Sequence, residues 1–525
     1  MIVLVTDPID EIGLERLREA GHDVRTGYGL EGEELLTAVA DVHALIVRSG
    51  TEVTEEVIES APELIIIGRA GIGTDNIDQD AATKHGVIVA NAPAGNVRAA
   101  AEHTVAMTFA IARSIPQAHA RLKRGEWAKS EYIGTELNGK TLGVFGLGRV
   151  GQEVARRLGD LGMDIVAYDP YISRERAESF GAELVEMDEC LTRADVMSVH
   201  TPLTPETEGL IGEAELEKLD DAYLINCARG GIIDESALAA AVENGPLRGA
   251  ALDVFAEEPL PADSPLLDVD DIIVTPHLGA STEAAQENVA TSIAEQVIAA
   301  FEGEPVLNAL NAPSVDERAF PKLRPYIDLV TVMGRIATQL LDDRIEYVTI
   351  EYMGDIASED VDLLTASALM GVFEPLEWQV NAVNAPQLAD ERGVEVTESK
   401  RRQAKDFTDL IRVRVGDGGE ELAVEGTLFA GNDPRIVRID GYRVDAIPTG
   451  HMLVCRNKDQ PGVIGFIGTI LGERGINIAG MFNSRESIGG EALTVYVLDD
   501  PVSGDVIEEL VADERLINAR YITLN

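Results

Sequence analysis

Three segments of the chain each hold one residue suited to oxidising a hydroxy acid: Arg229 in NCARGGIIDESAL, Glu258 in DVFAEEP and His277 in TPHLGAST. This reaction needs a base for the hydroxyl proton and a cation for the carboxylate and the developing carbonyl. An imidazole titrates near neutral pH, so His277 can act as the base, and Glu258 can hold its ring and stabilise its protonated form. The planar guanidinium of Arg229 suits bidentate binding of a carboxylate.

Each of these residues has a simpler interpretation when it is taken alone. Arg229 could form a surface ion pair, His277 could be a packed or capping histidine, and Glu258 could be a solvated loop acid. Glu257 is a neighbouring alternative to Glu258, although the spacing to Pro259 favours Glu258. Together and in this order, the three residues favour a catalytic site.

The stretch VFGLGRVGQEVARRLGDLGMDIVAYDP predicts a dinucleotide site. Gly146, Gly148 and Gly151 separate a strand-like segment from a helix-like one, and Asp169 ends the next strand, 23 residues after Gly146. The glycines allow a tight turn, leave room for a pyrophosphate and let the helix pack closely. Asp169 would accept hydrogen bonds from ribose hydroxyls and repel a 2′-phosphate, so NAD is predicted rather than NADP. A glycine turn without a ligand is the alternative.

The order of elements predicts an α/β fold with two doubly wound, Rossmann-like domains, each built on a parallel sheet. Residues 1–98 alternate apolar strands with amphipathic helices, and a second alternating unit begins at TLGVFGLG. Between them we expect one long helix from about Ala99 to Arg124. A helix from about Thr282 to Glu302 should return to the first unit. We therefore predict a discontinuous substrate-binding domain of residues 1–98 and 282–310, and an NAD-binding domain of residues 99–281.

The rest of the chain predicts two smaller units. A linker, PVLNALNAP, precedes an α+β intervening domain over residues 316–447, which ends in a hairpin with a Gly-Asn-Asp-Pro turn. Residues 451–525 follow the order strand, helix, strand, strand, helix, strand, which predicts a compact βαββαβ domain. Four basic residues of the intervening domain could hold an anionic metabolite or form a solvated helix face: Lys400, Arg401, Arg402 and Lys405.

From about residue 1 to 310 the chain resembles the D-isomer-specific 2-hydroxyacid dehydrogenases. The glycine fingerprint, NCARGGIIDESAL, DVFAEEP and PHLGAST carry the resemblance. It implies that Arg229 binds substrate and that Glu258 pairs with His277. The last domain is similar to an ACT domain through DQPGVIGFIGTIL and GINIAGMFNSR, and GTLFAGNDPRIVRIDGY is similar to the intervening domain of long-form members. This layout implies NAD-dependent oxidation of 3-phosphoglycerate to 3-phosphohydroxypyruvate, the first step of L-serine biosynthesis.

The resemblance also implies which residues surround the ligands. GRAGIGTDNID is similar to the family's carboxylate loop, whose backbone amides around Ala70 to Gly73 can hold an anion. The implied substrate-binding residues are Arg69, Ala70, Gly71, Gly73 and Asn96, with Arg48 as a further candidate. The implied cofactor-binding residues are Ile72, Gly146, Gly148, Arg149, Val150, Gly151, Asp169, Thr201, Cys227, Ala228, Arg229, Asp253, His277, Gly279 and Ala280. His200, next to Thr201, is expected to be structural.

Effector and subunit contacts follow from the same resemblance. Asn457, Asp459 and Asn477 match the places where ACT domains bind an amino acid, so serine is a candidate effector; these residues could instead only form turns and caps in a module used to dimerise. The long Ala-rich helix and the ACT domain indicate a homodimer or homotetramer. Lys129 could reach the substrate phosphate from a neighbouring subunit. NAPAGN differs from the family's commoner NTPNGN at Ala94, so a contact from that position is expected to be lost.

The composition disfavours several classes of function. The net charge is −49, with 92 acidic and 43 basic residues, which disfavours nucleic acid and anionic membranes as partners. We expect no membrane span, because no apolar run approaches roughly 18 residues, and no signal peptide, because MIVLVTDPIDE lacks a basic flank. The 3 scattered cysteines argue against zinc and disulfides and for a reducing cytoplasm. Acidic residues along the whole chain are typical of a high-salt cytoplasm, and an ordinary acidic protein is the alternative.

Two other functions stay open at this stage. A glyoxylate or hydroxypyruvate reductase of the same family would not need the C-terminal half, and a panel of substrates would identify it. A non-enzymatic NAD sensor, like the corepressors related to this family, would bind NADH and turn over no hydroxy acid.

Overall fold

The computed structural model describes residues 1–93, 95–313, 319–341, 344–377, 379–419 and 421–524. Ala94 and the predicted start of the intervening domain at residue 316 lie outside the described residues. The described elements form four sheets, and the α/β class predicted from the sequence is confirmed.

The first sheet has five parallel strands. They are β1 (Ile2–Val5), β2 (Asp23–Thr26), β3 (Ala44–Val47), β4 (Ile66–Arg69) and β5 (Ile88–Asn91), with helices α1 (Glu11–Glu19), α2 (Gly32–Val39), α3 (Glu55–Glu59) and α4 (Gln79–Lys84). The strand order is β2-β1-β3-β4-β5. Helices cover both faces of the sheet, so its inner strands are apolar and every residue of β3 is buried, whereas the edge strand β2 is mostly exposed. The carboxyl end of β4 leads into GRAGIGTDNID.

The second sheet has seven parallel strands. In chain order the elements are α5 (Val97–Ala112), α6 (Ile115–Lys123), β6 (Thr141–Phe145), α7 (Arg149–Asp160), β7 (Asp164–Tyr168), α8 (Arg174–Glu178), β8 (Ala182–Leu184), α9 (Met187–Arg193), β9 (Val196–Val199), α10 (Glu213–Leu216), β10 (Tyr223–Asn226), α11 (Glu235–Glu243), β11 (Gly249–Leu252) and β12 (Ile272–Val274). The strand order is β12-β11-β10-β9-β6-β7-β8. Because the order reverses between β6 and β9, the loops after these strands part and leave a crevice at the carboxyl ends.

One helix returns from the second sheet to the first. It is α12 (Glu283–Phe301), close to the helix predicted over Thr282 to Glu302. Its buried residues Val289, Ile293 and Val297 belong to the same hydrophobic core as Val3 and Ile46 of the first sheet. The chain therefore crosses the crevice twice.

The single long helix predicted from Ala99 to Arg124 is wrong. It is divided into α5 and α6, and Ser114 between them is left-handed, with φ 46°. In a continuous helix Pro116 would have no amide to donate to Ala112, and its ring would clash with that carbonyl. Proline is tolerated in the first turn of a new helix, which is where Pro116 lies in α6.

The third sheet has six strands. In chain order the elements are α13 (Phe320–Leu340), β13 (Tyr347–Gly354), α14 (Asp362–Phe373), α15 (Ala385–Glu391), β14 (Glu395–Arg401), β15 (Asp409–Gly416), β16 (Glu421–Phe429), β17 (Asp433–Ile439) and β18 (Tyr442–Ala446). The strand order is β14-β13-β15-β16-β17-β18, with β13 and β14 parallel and the other neighbours antiparallel. The helix-face alternative for the four basic residues is wrong, because Lys400 and Arg401 lie on β14 and the other two in the loop after it. The hairpin turn lies earlier than predicted, because Asp433 and Pro434 already belong to β17.

The fourth sheet confirms the predicted βαββαβ order. Its elements are β19 (His451–Lys458), α16 (Val463–Glu473), β20 (Ile478–Arg485), β21 (Glu491–Leu498), α17 (Gly504–Val511) and β22 (Leu516–Thr523), and the antiparallel sheet has the order β20-β21-β19-β22. Met452, Val454 and Ile522 share one hydrophobic core with Leu329 and Val330 of α13. The third and fourth sheets are therefore packed as one body.

Short 3-10 helices complete the described elements, at Lys129–Glu131, Pro265–Asp268 and Asp355–Ser358. Among the helices in the described part of the chain, none combines the length and the apolar character that crossing a membrane requires.

Candidate active site

The glycine-rich turn lies at the carboxyl end of β6. Gly146 is left-handed (φ 88°), and a Cβ on Gly151 would lie only 2.2 Å from the carbonyl oxygen of Gly146. A Cβ on Gly148 would meet nothing within 4 Å. Helix α7 begins directly after it, and the amides of Arg149 and Val150 in its first turn have no acceptor within the helix. The turn thus forms an open cradle at a helix N-terminus, which suits a pyrophosphate.

Asp169 stands beside this cradle, directly after β7. Its Oδ2 accepts a hydrogen bond from the amide of Leu147 at 2.8 Å, and its Oδ1 accepts one from the amide of Tyr171 at 2.9 Å. These bonds fix the direction of the carboxylate, and each oxygen keeps a lone pair for a further donor. The position suits an acceptor for ribose hydroxyls.

Three predicted residues line up along the neighbouring strand ends. Thr201 follows β9, and its buried Oγ1 has no hydrogen-bond partner among the described residues. His200 lies 2.9 Å from the hydroxyl of Ser198, and burial lowers the pKa of this histidine to about 4, so it is neutral at physiological pH. Burial also raises the pKa of the Cys227 thiol, after β10, to about 12, so this thiol stays protonated.

Glu258 and His277 form a close pair. The Nδ1 of His277 lies 2.7 Å from Oε2 of Glu258, and the other carboxylate oxygen accepts from the amide of Phe255 at 3.0 Å. Burial acts to raise the pKa of Glu258, but the hydrogen bonds from His277 and Phe255 outweigh it and leave the pKa below its ordinary value. Glu258 is therefore ionised at neutral pH. Because Nδ1 of His277 faces Glu258, Nε2 is the ring nitrogen that points away from this carboxylate.

The loop after β12 holds His277 in a left-handed conformation (φ 52°), which is uncommon for a residue other than glycine. The amide of His277 donates to the carbonyl oxygens of Asp253, at 3.0 Å, and Thr275, at 2.9 Å. The fully buried carboxylate of Asp253 accepts from the amides of Leu278 and Gly279, both at 2.8 Å. The sequence places Asp253 at the cofactor site; in the structure its carboxylate holds this loop, and its contact with the cofactor stays a prediction.

Arg229 lies in the loop after β10 and reaches across the crevice. Its Nε donates to Asp75 of the first unit at 3.0 Å, and its Nη1 donates to the carbonyl of Ala228 at 2.7 Å. The side chain of Asn226 closes the turn, because it bonds both to the amide of Ala228 and to the carbonyl of Arg229. A Cβ on Gly73 would collide with the guanidinium, so this glycine lets the two loops approach.

Arg69 brings a second cation to the crevice from the end of β4. Its Nη1 donates to the carbonyl of Ala70 at 3.2 Å, while its buried Nε has no hydrogen-bond partner among the described residues. Burial, together with repulsion from Arg229 and Arg48, lowers the pKa of Arg69 to about 10. The positive charges of Arg48 and Arg229 therefore lie close enough to Arg69 to repel its guanidinium.

A cavity lies next to Arg69. Arg48, Gly71, Asn96 and Ala280 are among its lining residues, so it joins the carboxylate loop to the loop that carries His277. The buried Oδ1 of Asn96 has no hydrogen-bond partner in the described part of the chain. Ile72, in the same loop, accepts a hydrogen bond on its carbonyl oxygen. All but one of the predicted substrate-binding residues line this cavity, and the exception, Gly73, lies against Arg229.

The predicted effector residues are bonded within the protein. Asn457 is buried and accepts a hydrogen bond from Thr494 at 3.1 Å. Asp459 is paired with Arg485 at 2.7 Å, and Asn477 donates to a neighbouring carboxylate at 2.6 Å. Their role in binding an effector stays a prediction.

Two residues of this site are not predicted by the sequence patterns. Asp75 lies in the carboxylate loop and holds Arg229, and the acid in GRAGIGTDNID is a signal that could have indicated a partner for an arginine. His103 on α5 lies 3.1 Å from Asp253, and nothing in its Ala-rich surroundings indicates that contact.

These features fit a nicotinamide dinucleotide. An open glycine cradle, a carboxylate oriented for ribose and the Thr201 hydroxyl line one side of the crevice. The His277–Glu258 pair and Arg229 lie at the carboxyl ends of strands of the second sheet, and in the first sheet Arg48 follows β3 and Arg69 ends β4. Fold and site together define a class, the NAD-dependent dehydrogenases of 2-hydroxy acids.

Comparison with known proteins agrees with this class. Residues 105–279 match the NAD binding domain of the D-isomer specific 2-hydroxyacid dehydrogenases, residues 322–440 match the D-3-phosphoglycerate dehydrogenase intervening domain, and residues 451–515 match the ACT domain. The chain is 44% identical to the D-3-phosphoglycerate dehydrogenase of Archaeoglobus fulgidus, with 100% of both chains covered. The chain belongs to the D-3-phosphoglycerate dehydrogenase family, and the predicted NAD cofactor is confirmed.

Solved structures resemble the first two units. The TT0316 protein from Thermus thermophilus is 35% identical with a TM-score of 0.56, over 59% of this chain and 100% of that one. A D-lactate dehydrogenase from Aquifex aeolicus, complexed with NAD and lactic acid, is 29% identical with a TM-score of 0.55, over 60% of this chain and 100% of that one.

Proposed function

We propose that the chain oxidises 3-phosphoglycerate to 3-phosphohydroxypyruvate with NAD+, the first step of L-serine biosynthesis. The observation that carries this proposal is the position of three arginines at the carboxylate loop: Arg48 and Arg69 line the cavity beside it, and Arg229 reaches Asp75 of the same loop at 3.0 Å. One guanidinium suffices for the carboxylate of a simple hydroxy acid, whereas several suit a substrate with a phosphate as well. The full-length similarity to the D-3-phosphoglycerate dehydrogenase of Archaeoglobus fulgidus supports 3-phosphoglycerate as the substrate.

The residues of the chain divide the chemistry between them. NAD+, when bound, supplies the acceptor for the hydride that leaves C2 of the substrate. His277 takes the hydroxyl proton at Nε2, since its Nδ1 faces Glu258, and Glu258 stabilises the imidazolium that results. Arg229 binds the carboxylate and stabilises negative charge on the oxygen that becomes the carbonyl. Arg69 and Arg48 bind the phosphate, and the glycine turn, Asp169 and Thr201 hold the cofactor.

The test is a steady-state assay of the whole chain with 3-phosphoglycerate and NAD+ in molar salt, with and without serine. We expect NADH to form, and His277→Ala to abolish turnover while NADH binding persists. A panel with glyoxylate, hydroxypyruvate and D-lactate is the control for substrate choice. Wild-type protein that binds NADH but leaves 3-phosphoglycerate unchanged would contradict the proposal.

We further propose a homo-oligomer, with α6 and the segment after it against a second copy. No residue of α6 is buried, and large apolar side chains near it are exposed: Trp127 by 81% and Ile133 by 84%. Apolar side chains exposed so close together mark protein interfaces. Lys129, in this segment, would then lie near the partner's site. Light scattering of the purified chain tests the assembly, and a monomer would contradict it.

Three further proposals concern the effector, the salt content of the cytoplasm in which the protein works, and the domain boundaries. The ACT match supports an amino-acid effector, with serine as the candidate. The net charge of −49 supports a high-salt cytoplasm. We propose the same limits as from the sequence: 1–98 with 282–310, 99–281, 316–447 and 451–525.

A further inference from the structure

His103 connects helix α5 to the loop that carries the catalytic histidine. Its Nε2 lies 3.1 Å from Oδ1 of Asp253 and 3.2 Å from Oγ1 of Thr275, and its side chain is 20% exposed. A Cβ on Gly279 would lie 4.0 Å from Ala100, one turn before His103, so α5 packs directly against the loop.

Asp253 is the centre of this contact. Its fully buried carboxylate accepts from Thr275 Oγ1 at 2.5 Å and from the amides of Leu278 and Gly279. Burial acts to raise the pKa of Asp253, but hydrogen bonds from His103, Thr275 and Leu278 outweigh it and lower the pKa. A buried carboxylate needs such compensation to stay ionised. Among the described residues, His103 is the one basic side chain within ion-pair distance of it.

The conformation of the loop depends on these bonds. His277 is left-handed, and an L-residue keeps that conformation only where its surroundings impose it. The two amides that follow it both donate to the carboxylate of Asp253, and its own amide donates to the Asp253 carbonyl. If the carboxylate moved, the turn would lose the acceptors that hold the imidazole against Glu258.

We propose that His103 is a positioning residue for the reaction: by donating from Nε2 to Asp253, it keeps that carboxylate where it fixes the left-handed turn at His277. The kinetic part of this inference rests on the proposed function. The role requires a donor at the place of Nε2, and it does not require a ring that titrates. A glutamine, whose amide nitrogen reaches a similar place, satisfies it, and an apolar residue of similar size does not.

The kinetic test compares His103→Leu with His103→Gln. We expect His103→Leu to lower kcat by about 10- to 100-fold, because displacing a catalytic group by about 1 Å has effects of that order. The dissociation constant of NADH and the KM for 3-phosphoglycerate should change less than kcat, because the glycine turn, Asp169 and the arginines, which hold these ligands in the proposed function, lie outside this loop. His103→Gln should restore most of the lost kcat.

Thr108→Val is the matched control on the same helix. Thr108 is buried, and its hydroxyl donates at 2.8 Å to the carbonyl of Thr104, within α5. This variant removes a buried hydrogen bond without touching the loop, so it should keep the wild-type kcat. The inference is wrong if His103→Leu keeps the wild-type kcat, or if His103→Gln loses as much as His103→Leu.

Hydrogen exchange tests the same inference without catalysis. In the full chain, the amides of Leu278 and Gly279 should exchange faster in His103→Leu than in the wild type, and at the wild-type rate in His103→Gln and Thr108→Val. Equal exchange in His103→Leu and the wild type would overturn the inference. A wild type that oxidises no 2-hydroxy acid would contradict the proposed function, while the exchange rates would still decide the role of His103.

Discussion

The contact between Glu258 and His277 is the residue-scale feature on which proton transfer depends. Glu258→Gln keeps the size and a hydrogen-bond acceptor but removes the charge that stabilises the imidazolium. We expect kcat to fall by about 10²-fold, the lower end of what general base catalysis contributes, with NADH binding unchanged. Glu257→Gln is the control, because Glu257 is the acid next to Glu258 in the sequence and its side chain is exposed. Equal losses in the two variants would mean that the charge acts at long range and not through the 2.7 Å contact.

Asp169 governs the choice of cofactor. Asp169→Ala removes the acceptor for the ribose hydroxyls and the charge that repels a 2′-phosphate. A hydrogen bond to a charged group contributes about 1.5–3 kcal/mol, so NAD+ should bind roughly 10- to 100-fold more weakly and the gap to NADP+ should narrow. Asp169→Asn is a second variant that removes the charge and keeps one acceptor oxygen, enough for one of the two amides, Leu147 or Tyr171, that the carboxylate holds. An unchanged preference for NAD+ in the alanine variant would show that another residue reads the ribose.

The sequence predicts part of this site, and the reason is geometric. Arg229, Glu258 and His277 each follow a strand, and the carboxyl ends of parallel strands meet at one edge, so their motifs imply that they converge. Asp75 and His103 were not predicted, because each reaches a partner that is distant in the sequence: Asp75 contacts Arg229 of the other unit, and His103 contacts Asp253 after β11 of its own unit. Arg229 is 154 positions from Asp75. A pattern within one element shows which face is buried, and it does not show which side chain of a distant element meets that face.

At the scale of elements, the third sheet carries a ladder of alternating charge across four strands. Glu351, Arg412, Glu425 and Arg438 lie directly opposite one another on β13, β15, β16 and β17. Arg412 lies 2.7 Å from Glu351 and 2.6 Å from Glu425, and these carboxylate residues are only 3% and 5% exposed. The sequence could not predict this, because alternation along each strand indicates a polar face and the ladder depends on the register between strands.

Arg412→Met tests the energetic weight of the ladder. It removes the cation between two buried carboxylates, while Glu425 keeps Arg438 at 2.7 Å and Glu351 keeps Arg401 at 3.3 Å. We therefore expect the free energy of unfolding to fall by about 1.5–3 kcal/mol, the contribution of a hydrogen bond to a charged group. Denaturant unfolding of the full chain in constant molar salt measures the change. Arg25→Met is the control, because Arg25 pairs with Asp23 and Asp41 on the surface and should change little. Similar losses in both variants would contradict the role assigned to burial.

The fold was predictable where burial controls the pattern. The central strands of both parallel sheets are apolar runs covered on two faces, and the sequence places them correctly. The edge strands β2 and β8 are short and only partly buried, and the apolar pattern does not indicate them. The long helix was mispredicted because its apolar spacing continues through Pro116. The helix ends before this residue, because proline has no amide hydrogen to donate to the preceding turn. Lys400 and Arg401 were misplaced for a similar reason, since an exposed edge strand such as β14 lacks the apolar alternation that identifies a strand.

At the scale of the whole molecule, an anionic substrate must reach a cationic crevice inside a negative shell. The chain has 34 arginines and only 9 lysines against 92 acidic residues. The arginines of the crevice act at short range, where salt screens little, whereas the surface acids act at long range, where salt screens strongly. High salt should therefore weaken the repulsion that opposes substrate entry more than it weakens binding in the crevice.

The same argument predicts how stability depends on salt. A net charge of −49 opposes the compact state by self-repulsion. Raising potassium chloride from about 0.1 M to about 1 M shortens the Debye length from about 10 Å to about 3 Å, so the thermal midpoint should rise most over this interval. Replacing the exposed acids Glu33, Glu52 and Glu63 by glutamine should raise the midpoint in low salt and leave it nearly unchanged in molar salt. Salt screening and glutamine substitution relieve the same repulsion. A thermal midpoint that is highest in low salt would mean that the acidic surface does not limit stability. A triple variant that is stabilised equally at every salt concentration would mean the same.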